Sequence, residues 1–332
     1  MTRVSVVIPA YNAEEYIEAA ISCVLQQSFQ DFEILVVNDG STDRTRSIVE
    51  RFRDPRVRLI KQANRGLAGA RNSGIREAVG EYVALLDADD LWHRDKLVSH
   101  VTHLDENPSI GVSYSASQFM DDDGRLMSLY QSPKLTNISA GDVICRNPIG
   151  NGSAPVIRRA VFSDIETQDD RYGDPEPIFF DPDFRQSEDI ECWTRIITTT
   201  NWQFEGLAQA LTLYRLNSGG LSASVYKQLA SWEMYFDSAT GYAPRAMAKW
   251  GNLARAYQYR YLARRAVWSR EPDTARELLH KALKSDVRIL WHEPVRTVAT
   301  ILGVYLQSIL PQSVYRGLER VAILAKNAAA SA

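Results

Sequence analysis

Cysteine and histidine are scarce in this sequence, and no long apolar run is present. The 332 residues include 3 Cys and 5 His. Cys23, Cys145 and Cys192 are odd in number and widely spaced, so we expect neither a disulfide framework nor a cysteine zinc site. The first apolar stretch, Val4–Pro9, is too short for a secretory signal. These features together predict a protein of the reducing cytoplasm.

Two glycine-rich phosphate-binding motifs are also absent. No G-x-G-x-x-G follows a strand pattern, so a dinucleotide-binding Rossmann site is not expected, and without G-x-x-x-x-G-K-[ST] a P-loop is excluded. A phosphate group would instead be neutralised by a cation and by a basic side chain. The histidines show no ligand spacing. His100 and His103 fall on one face of a predicted helix, and we expect them at the surface.

The net charge of −3 conceals an uneven distribution along the chain. Residues 225–332 carry 16 Lys and Arg against 8 Asp and Glu, a net charge of +8. Residues 1–224 carry 22 against 33, a net charge of −11. A basic segment favours an anionic partner, either a membrane surface or nucleic acid. The alternative is a set of solvated helix faces.

Strand and helix patterns alternate with short connections over the first 90 residues. This βαβαβαβ order predicts an α/β fold with a mostly parallel sheet flanked by helices. The predicted strands are Val4–Ile8, Phe32–Val37, Val57–Ile60 and Tyr82–Leu86. The predicted helices cover about 13–27, 41–52 and 67–78.

The pattern becomes less regular after residue 90. Asp121–Gly124 is typical of a hairpin turn, and residues 164–187 lack periodicity, which predicts a mobile loop near the acceptor side. Residues 188–199 are expected to be helical and 202–216 strand-like. From Val225 the chain becomes helical, so we predict two domains, 1–224 and a basic helical extension, 225–332.

Polar side chains cluster where the predicted strands end. Asp39 follows the second strand and could accept a hydrogen bond from a base edge, and Arg71 could offer a planar cation to a phosphate. Asp87-Ala88-Asp89-Asp90 follows the fourth strand, and Asp89 could hold a divalent cation. Right-handed crossovers bring such strand ends to one edge of the sheet, which predicts a nucleotide-diphosphate site. The alternative for the acids is a solvated turn that caps the next helix.

Four motifs in register resemble the family 2 inverting glycosyltransferases of the GT-A fold. The resemblance covers residues 4–100 in order, resumes at Glu188-Asp189, and extends over about two-thirds of the chain. It divides 1–224 into a nucleotide-sugar half, 1–100, and an acceptor half, 101–224. The motifs are VSVVIPAYN at 4–12, VNDGSTD at 37–43, NRG and ARNSG at 64–66 and 70–74, and LLDADD at 85–90.

The resemblance implies a nucleotide-diphosphate sugar donor and Mn²⁺ or Mg²⁺ as the metal. Asp89 would be the metal ligand and Asp87 would lie near the ribose or the metal. The expected uracil-like edge at Asp39 favours UDP-sugars. The residues implied to cradle the nucleotide are Pro9, Tyr11, Asp39 and Arg71.

The resemblance also implies that the catalytic base is the Asp of a Glu-Asp pair, which here is Asp189. Inversion requires a carboxylate opposite the leaving diphosphate, where it removes the proton of the attacking hydroxyl. The alternative is that Glu188 and Asp189 only stabilise a helix N-terminus. One departure from the family pattern is Asn217, which follows Tyr214-Arg215-Leu216 where a His is often found.

The sequence therefore predicts a metal-dependent inverting glycosyltransferase that acts on a hydroxyl of a glycan or lipid-linked acceptor in polysaccharide or glycoconjugate biosynthesis. Nucleic acid is not an expected partner, and the C-terminal helices could support an oligomer. The basic extension and the nearly uncharged Val295–Leu310 could hold the protein on the inner face of the cytoplasmic membrane, or that segment could pack on the protein. The alternatives are a nucleotidyltransferase and an inactive sugar-nucleotide-binding scaffold subunit.

Overall fold

The computed structural model describes residues 2–216 and 225–309. Its first 216 residues alternate strands and helices, as expected. The strands are β1 (Val4–Ala10), β2 (Phe32–Asp39), β3 (Val57–Gln62), β4 (Tyr82–Leu85), β5 (Leu91–Trp92), β6 (Ile110–Met120), β7 (Leu126–Gln131), β8 (Val156–Arg158), β9 (Thr167–Asp169), β10 (Glu176–Ile178) and β11 (Gln203–Arg215).

The helices follow the predicted pattern in both parts of the chain. Those among the first 216 residues are α1 (Ile17–Leu25), α2 (Thr45–Val49), α3 (Gly66–Glu77), α4 (Lys96–Glu106), α5 (Ala140–Arg146), α6 (Arg159–Ile165) and α7 (Glu188–Thr199). Those that follow are α8 (Val225–Tyr242), α9 (Pro244–Trp268), α10 (Pro272–Ser285), α11 (Ile289–His292) and α12 (Pro294–Ile309).

Nine of the described strands form one sheet in the order β3-β2-β1-β4-β8-β6-β11-β5, with β7 paired to β6. The four strands from β3 to β4 are parallel, and so are β6 and β11. Strand β8 is antiparallel to both β4 and β6. The predicted α/β fold with a mostly parallel sheet is therefore confirmed, and antiparallel strands extend it beyond β4.

β1 and β4 separate at their carboxyl ends. Their pairing ends at Val7 and Leu85, whereas β1 stays paired to β2 as far as Ala10. Strand order reverses at this point, which is where open α/β sheets bind ligands. Pro9 lies on the part of β1 that no longer pairs with β4, and Tyr11 follows it with 54% of its surface exposed.

Residues 164–187 are not the irregular loop that the sequence predicted. They contain the antiparallel hairpin of β9 and β10, and α3 holds them in place. The side chain of Asn72 donates to the Phe180 carbonyl at 2.7 Å and accepts the Phe179 and Phe180 N–H groups. Arg65 donates to Glu176 on β10 at 2.6 Å. No local pattern indicates these long-range partners, because three-residue strands carry almost no periodicity.

The predicted surface position of the α4 histidines is wrong for His100 and only partly right for His103. His100 is buried and its Nδ1 lies 2.7 Å from the Ser113 hydroxyl, which also contacts His103. Lys96 is buried beside them and donates to the Ala154 carbonyl at 2.7 Å. Burial lowers the pKa of Lys96 to about 7 and that of His100 well below its ordinary value.

The chain divides into two compact units. Of the described residues, 2–216 and 231–246 belong to the first unit, and 225–230 and 247–309 belong to the second. Residues 231–246 thus group with the α/β unit, although they follow the domain boundary predicted at 224. In the second unit α9, α10 and α12 share a core that includes Leu262, Leu278, Leu279 and Val304.

Within the described part of the chain, no helix combines the length and apolar character needed to cross a membrane. Cys23, Cys145 and Cys192 are thiols in the structure, with Cys192 buried and the other two partly buried.

Close packing of α3 on β1 supplies the first test of this fold. A Cβ atom added at Gly74 would lie 2.3 Å from Val7 Cγ1, whereas one added at Gly241 would meet nothing within 4 Å. We expect Gly74→Ala to lower the free energy of unfolding by about 1–3 kcal/mol through overpacking. Gly241→Ala should leave it unchanged or raise it by up to about 1 kcal/mol, because it lowers the backbone entropy of the unfolded chain. Urea denaturation of both variants checks the pair, and equal effects would contradict the packing.

Candidate active site

The three acids that follow β4 have different surroundings. Asp87 and Asp89 are partly exposed, whereas Asp90 is buried. The Asp90 carboxylate accepts the Ser153 hydroxyl at 2.6 Å and the Arg215 N–H at 2.9 Å. Burial and the nearby charges of Asp89 and Asp87 raise its pKa well above the ordinary value. Asp90 therefore fixes the position of the segment, and Asp87 and Asp89 remain partly exposed at the end of β4.

Arg71 lies between acids from two distant parts of the chain. Its guanidinium is 1% exposed, donating from Nη2 to Asp87 Oδ1 at 2.7 Å and from Nη1 to Glu188 Oε1 at 2.8 Å. Burial alone would lower the pKa of this guanidinium, but Asp87 and Glu188 hold it above its ordinary value. The cation expected to meet a phosphate thus joins the end of β4 to the start of α7.

The segment 151–153 closes over this ion pair. A Cβ atom at Gly152 would lie 2.2 Å from Arg71 Nη2 and 2.9 Å from Asp87 Oδ2, so only glycine leaves room for the pair. Ser153 follows, and its hydroxyl accepts the Asp87 N–H at 3.0 Å. The turn at 151–153 therefore supports the acids that follow β4.

Glu188 and Asp189 begin α7, as the sequence predicted. Ser187 precedes them with a φ of 66°, a left-handed conformation that is uncommon outside glycine. Burial raises the pKa of the Asp189 carboxyl, although the Ile190 N–H, Arg71 and Asn147 partly offset it. Burial likewise raises the pKa of Glu188, against the opposing effect of Arg71.

Asn147 is a residue of this cluster that the sequence did not single out. It ends α5 in a left-handed conformation with a φ of 40°, and its Nδ2 donates to Asp189 Oδ2 at 3.2 Å. Asparagine tolerates this backbone conformation better than most residues. A lone Asn after a short helix is a weak signal, because nothing nearby in the sequence indicates the partner 42 residues away.

Tyr214 and Arg215 bring the end of β11 into the same cluster. Burial and the charges of four acids, Asp90, Asp87, Asp89 and Asp189, raise the pKa of Tyr214. Arg215 donates from Nε to the Asp89 carbonyl at 2.8 Å and from Nη1 to the Asp122 carbonyl at 2.8 Å. The predicted hairpin turn at 121–124 is confirmed, since β6 and β7 pair across it. Asn217, the departure noted in this motif, lies outside the described residues.

Asp39 stabilises the turn into α3. Its Oδ1 accepts the Gln62 amide at 2.7 Å and the Arg65 N–H at 2.8 Å, and its Oδ2 accepts the Gly66 N–H at 2.9 Å. Gly66 has a φ of 76°, and a Cβ atom there would lie 2.3 Å from Arg185 Nη1. Backbone N–H groups at the start of α3 thus hold the Asp39 carboxylate in place, and the exposed Arg185 guanidinium lies near Gly66.

The acids suit one particular mode of metal binding. Among the described residues, no three His, Cys, Asp or Glu side chains converge on a common point that could hold an ion. Mg²⁺ and similar hard cations are commonly bound by one or two carboxylates together with substrate phosphates, rather than by a cage made only of protein. Asp89 and Asp87, partly exposed oxygen donors at a strand end, fit that mode.

Comparison with known proteins identifies the class to which this fold and acid cluster belong. The family model "Glycosyl transferase family 2" matches residues 5–165. The putative teichuronic acid biosynthesis glycosyltransferase TuaG of Bacillus subtilis (strain 168) is 30% identical over 237 residues, which cover 70% of this chain and 86% of TuaG. The Escherichia coli protein UDP-Glc:alpha-D-GlcNAc-diphosphoundecaprenol beta-1,3-glucosyltransferase WfgD is 29% identical over 236 residues, 70% of this chain and 85% of WfgD. The chain belongs to glycosyl transferase family 2 and is a glycosyltransferase.

Two solved structures show that the expected GT-A fold is correct. S. aureus TarS 1-349 in complex with UDP-GlcNAc has a TM-score of 0.55 and 18% identity, covering 92% of this chain and 81% of that one. The mannosyltransferase PcManGT from Pyrobaculum calidifontis, in complex with GDP-Man and Mn2+, has a TM-score of 0.57 and 21% identity, covering 93% of this chain and 88% of that one.

The buried position of Arg71 predicts an unequal response to two similar substitutions. Arg58 also pairs with two carboxylates, Glu33 and Glu77, but its side chain is 46% exposed. Arg71→Met should lower the free energy of unfolding by about 3–5 kcal/mol, because it leaves buried carboxylates without their partner. Arg58→Met should cost no more than about 1 kcal/mol. Similar losses in chemical denaturation would contradict a central role for the Arg71 pairs.

Proposed function

We propose that this glycosyltransferase moves a sugar, with inversion, from a nucleotide-diphosphate sugar to a hydroxyl acceptor, with Asp189 as the general base. The observation that carries the proposal is the buried link from Asp87 through Arg71 to Glu188. It holds an acid at the donor end of β4 and the Asp189 carboxylate in one fixed arrangement. Inversion needs such an arrangement, because the base and the leaving group must lie on opposite faces of the sugar.

The surroundings of Asp189 suit a general base. A base works best when its pKa lies near the working pH, and burial moves the Asp189 pKa upward from the ordinary range of a carboxyl. The Asn147 amide orients one carboxylate oxygen through a hydrogen bond at 3.2 Å. The carboxylate would accept the proton of the acceptor hydroxyl as that oxygen attacks the anomeric carbon. The bond from that carbon to the diphosphate oxygen would break as the new bond forms.

The donor is proposed to be a UDP-sugar. WfgD is named for UDP-Glc and one TarS structure holds UDP-GlcNAc. Asp39 would contact the base, since its Oδ2 accepts one backbone N–H and a carboxylate oxygen can accept a second hydrogen bond. Pro9 and Tyr11 would line the nucleotide site at the end of β1.

The role proposed for Arg71 differs from the contact with the nucleotide phosphates that the resemblance implied. Both of its terminal nitrogens donate to carboxylates and its guanidinium is almost fully buried. We therefore propose that Arg71 positions Asp87 and Glu188, and that a cation held at Asp89 neutralises the diphosphate. Mn²⁺ or Mg²⁺, when bound there, would stabilise the departing nucleoside diphosphate. PcManGT was solved with Mn2+.

The acceptor is proposed to be a lipid-linked glycan intermediate in polysaccharide biosynthesis. WfgD is named for a diphosphoundecaprenol-linked substrate and TuaG for teichuronic acid biosynthesis. An acceptor anchored in a membrane favours an enzyme that binds the membrane surface. We place the enzyme at the cytoplasmic face, where its three free cysteines would stay reduced. The nucleotidyltransferase alternative is set aside by family membership.

Release of free nucleoside diphosphate from a panel of sugar donors tests this function. With an acceptor present, we expect release from UDP-sugars, and Asp189→Asn should lower kcat by roughly 10²- to 10⁴-fold while nucleotide binding is retained. Asp122→Asn is the matched control, because it lies in an exposed acidic turn. Turnover at the wild-type rate in Asp189→Asn would remove that residue from the mechanism. Binding without release from any donor would favour the scaffold alternative.

The hydrogen bond from Asn147 predicts a change in pH dependence. The base must be ionised, so kcat/KM should fall as the pH drops through the Asp189 pKa, which burial raises. Asn147→Asp removes the N–H donor and adds a negative charge, and both changes raise the Asp189 pKa further. The acidic limb should therefore move to higher pH.

The matched control for this change is Asn137→Asp, at another left-handed asparagine, with a φ of 52° and an exposed side chain. The pH profile of this variant should match that of the wild type. An acidic limb that stays in place in Asn147→Asp would mean that Asn147 does not act on the base.

A further inference from the structure

Helix α12 exposes an apolar face to solvent. Val295, Val298, Leu302 and Leu306 are spaced by three, four and four residues, so they lie on one side of the helix. Their exposed fractions are 80%, 48%, 54% and 38%, and Tyr305 beside them is 41% exposed. A solvated helix normally turns its charged residues outward. This face, which we call the α12 face, carries no charged residue.

Helix α10, in the same unit, provides the contrast. Its exposed positions include Arg276, Glu277, Lys281 and Lys284, as expected for a helix surrounded by water. Its buried positions, Ala275, Leu278, Leu279 and Ala282, pack into the core. Helix α12 also buries one side, through Thr297, Thr300 and Val304. The exposed side of α12 is therefore apolar, whereas the exposed side of α10 is charged.

Basic residues of α9 lie next to the buried side of α12. The Arg260 guanidinium donates to Thr297 Oγ1 at 2.6 Å and to Glu293, and the Gln307 amide donates to the Val267 carbonyl at 2.9 Å. These contacts pack α9 against the buried side of α12, next to Arg296. Arg264 lies one turn beyond Arg260, with its guanidinium 6.0 Å from the centre of the Trp268 ring. Trp268 is itself 71% exposed.

Positive charge exceeds negative charge in this region. Arg260 and Arg296 both pair with Glu293, and the Arg296 side chain remains 57% exposed. Burial, together with the charges of Arg296 and Arg260, lowers the pKa of Arg264. Three guanidinium groups therefore share one carboxylate. The described residues of the unit carry 12 Lys and Arg against 5 Asp and Glu, a net charge of +7.

An apolar face with arginine and tryptophan nearby fits the interface of a lipid bilayer. Apolar side chains enter the boundary between headgroups and acyl chains, tryptophan favours the headgroup level, and basic residues attract anionic lipids. We propose that the α12 face, with Arg296 beside it and with Arg264 and Trp268 on the adjoining helix α9, docks on a membrane surface that carries anionic phospholipids. This proposal builds on the lipid-linked acceptor of the proposed function and gives the enzyme a surface for reaching it.

Vesicle co-sedimentation of the full-length protein tests the proposal. Vesicles of phosphatidylcholine alone are compared with vesicles that also contain phosphatidylglycerol, at low and high salt. We expect binding to the anionic vesicles that weakens with salt. Leu302→Glu should lower the partition coefficient at least about tenfold, because it places a charge in the apolar face. Arg296→Gln should lower it about fivefold and reduce the difference between the two vesicle types.

Leu126→Glu is the matched control, because Leu126 is 56% exposed on β7, outside the α12 face. It should bind vesicles as the wild type does. The proposal is overturned if the wild type binds neither vesicle type, or if Leu302→Glu binds as the wild type does. It is also overturned if Leu302→Glu lowers the melting temperature or the oligomer mass in light scattering, because the face would then be covered by the chain itself or by a second copy.

Nucleoside diphosphate release is measured in parallel with a water-soluble acceptor. Leu302→Glu should retain wild-type release, because the α12 face has no part in the chemistry. If Leu302→Glu loses vesicle binding but still releases nucleoside diphosphate, the α12 face is the docking surface. If the wild type binds vesicles but releases no nucleoside diphosphate, the proposed function alone is overturned.

Discussion

The pairing of the buried Arg71 guanidinium with two carboxylates is the interaction on which the site depends. Asp87 comes from the end of β4 and Glu188 from the start of α7, 101 residues later in the sequence. A charge this deeply buried is stable only with partners of opposite sign, so the pair constrains both elements at once. The same buried pair requires a glycine at position 152, because any side chain on Gly152 would displace the guanidinium. The acid edge of the sheet and helix α7 are in this way parts of one arrangement.

Burial controls the electrostatics of this arrangement. Asp90, Glu188 and Asp189 all have pKa values raised by loss of solvent, and each is partly offset by hydrogen-bond donors or by Arg71. The offset differs from one acid to the next. The Asp90 carboxylate accepts hydrogen bonds from Ser153 and Arg215 and has a structural role. Asp189 is only partly buried, and its carboxylate accepts one side-chain hydrogen bond, from the Asn147 amide. Chemically similar carboxyl groups thus have different environments because their hydrogen-bond and charge partners differ.

The second unit is organised by a different principle. Its core is apolar and its helices carry an excess of positive charge, yet α12 leaves an apolar face in solvent. Water does not stabilise such a face, and a headgroup boundary would. Sugar transfer and membrane contact would then be carried out by different units of the same chain.

The alternation of strands and helices, the acid segment after β4 and the Glu-Asp pair at the start of α7 could all be predicted from the sequence. Those features depend on local periodicity and on short motifs, which a chain displays directly. The sequence did not determine the hairpin in 164–187, the buried His100, the hydrogen bond from Asn147 or the partners of Arg71. Each of these depends on a residue far away in the chain, and no local pattern around Arg71 indicates the two carboxylates with which it pairs. Which charges meet depends on the packed fold, because burial and ion pairing join residues that are distant in the sequence.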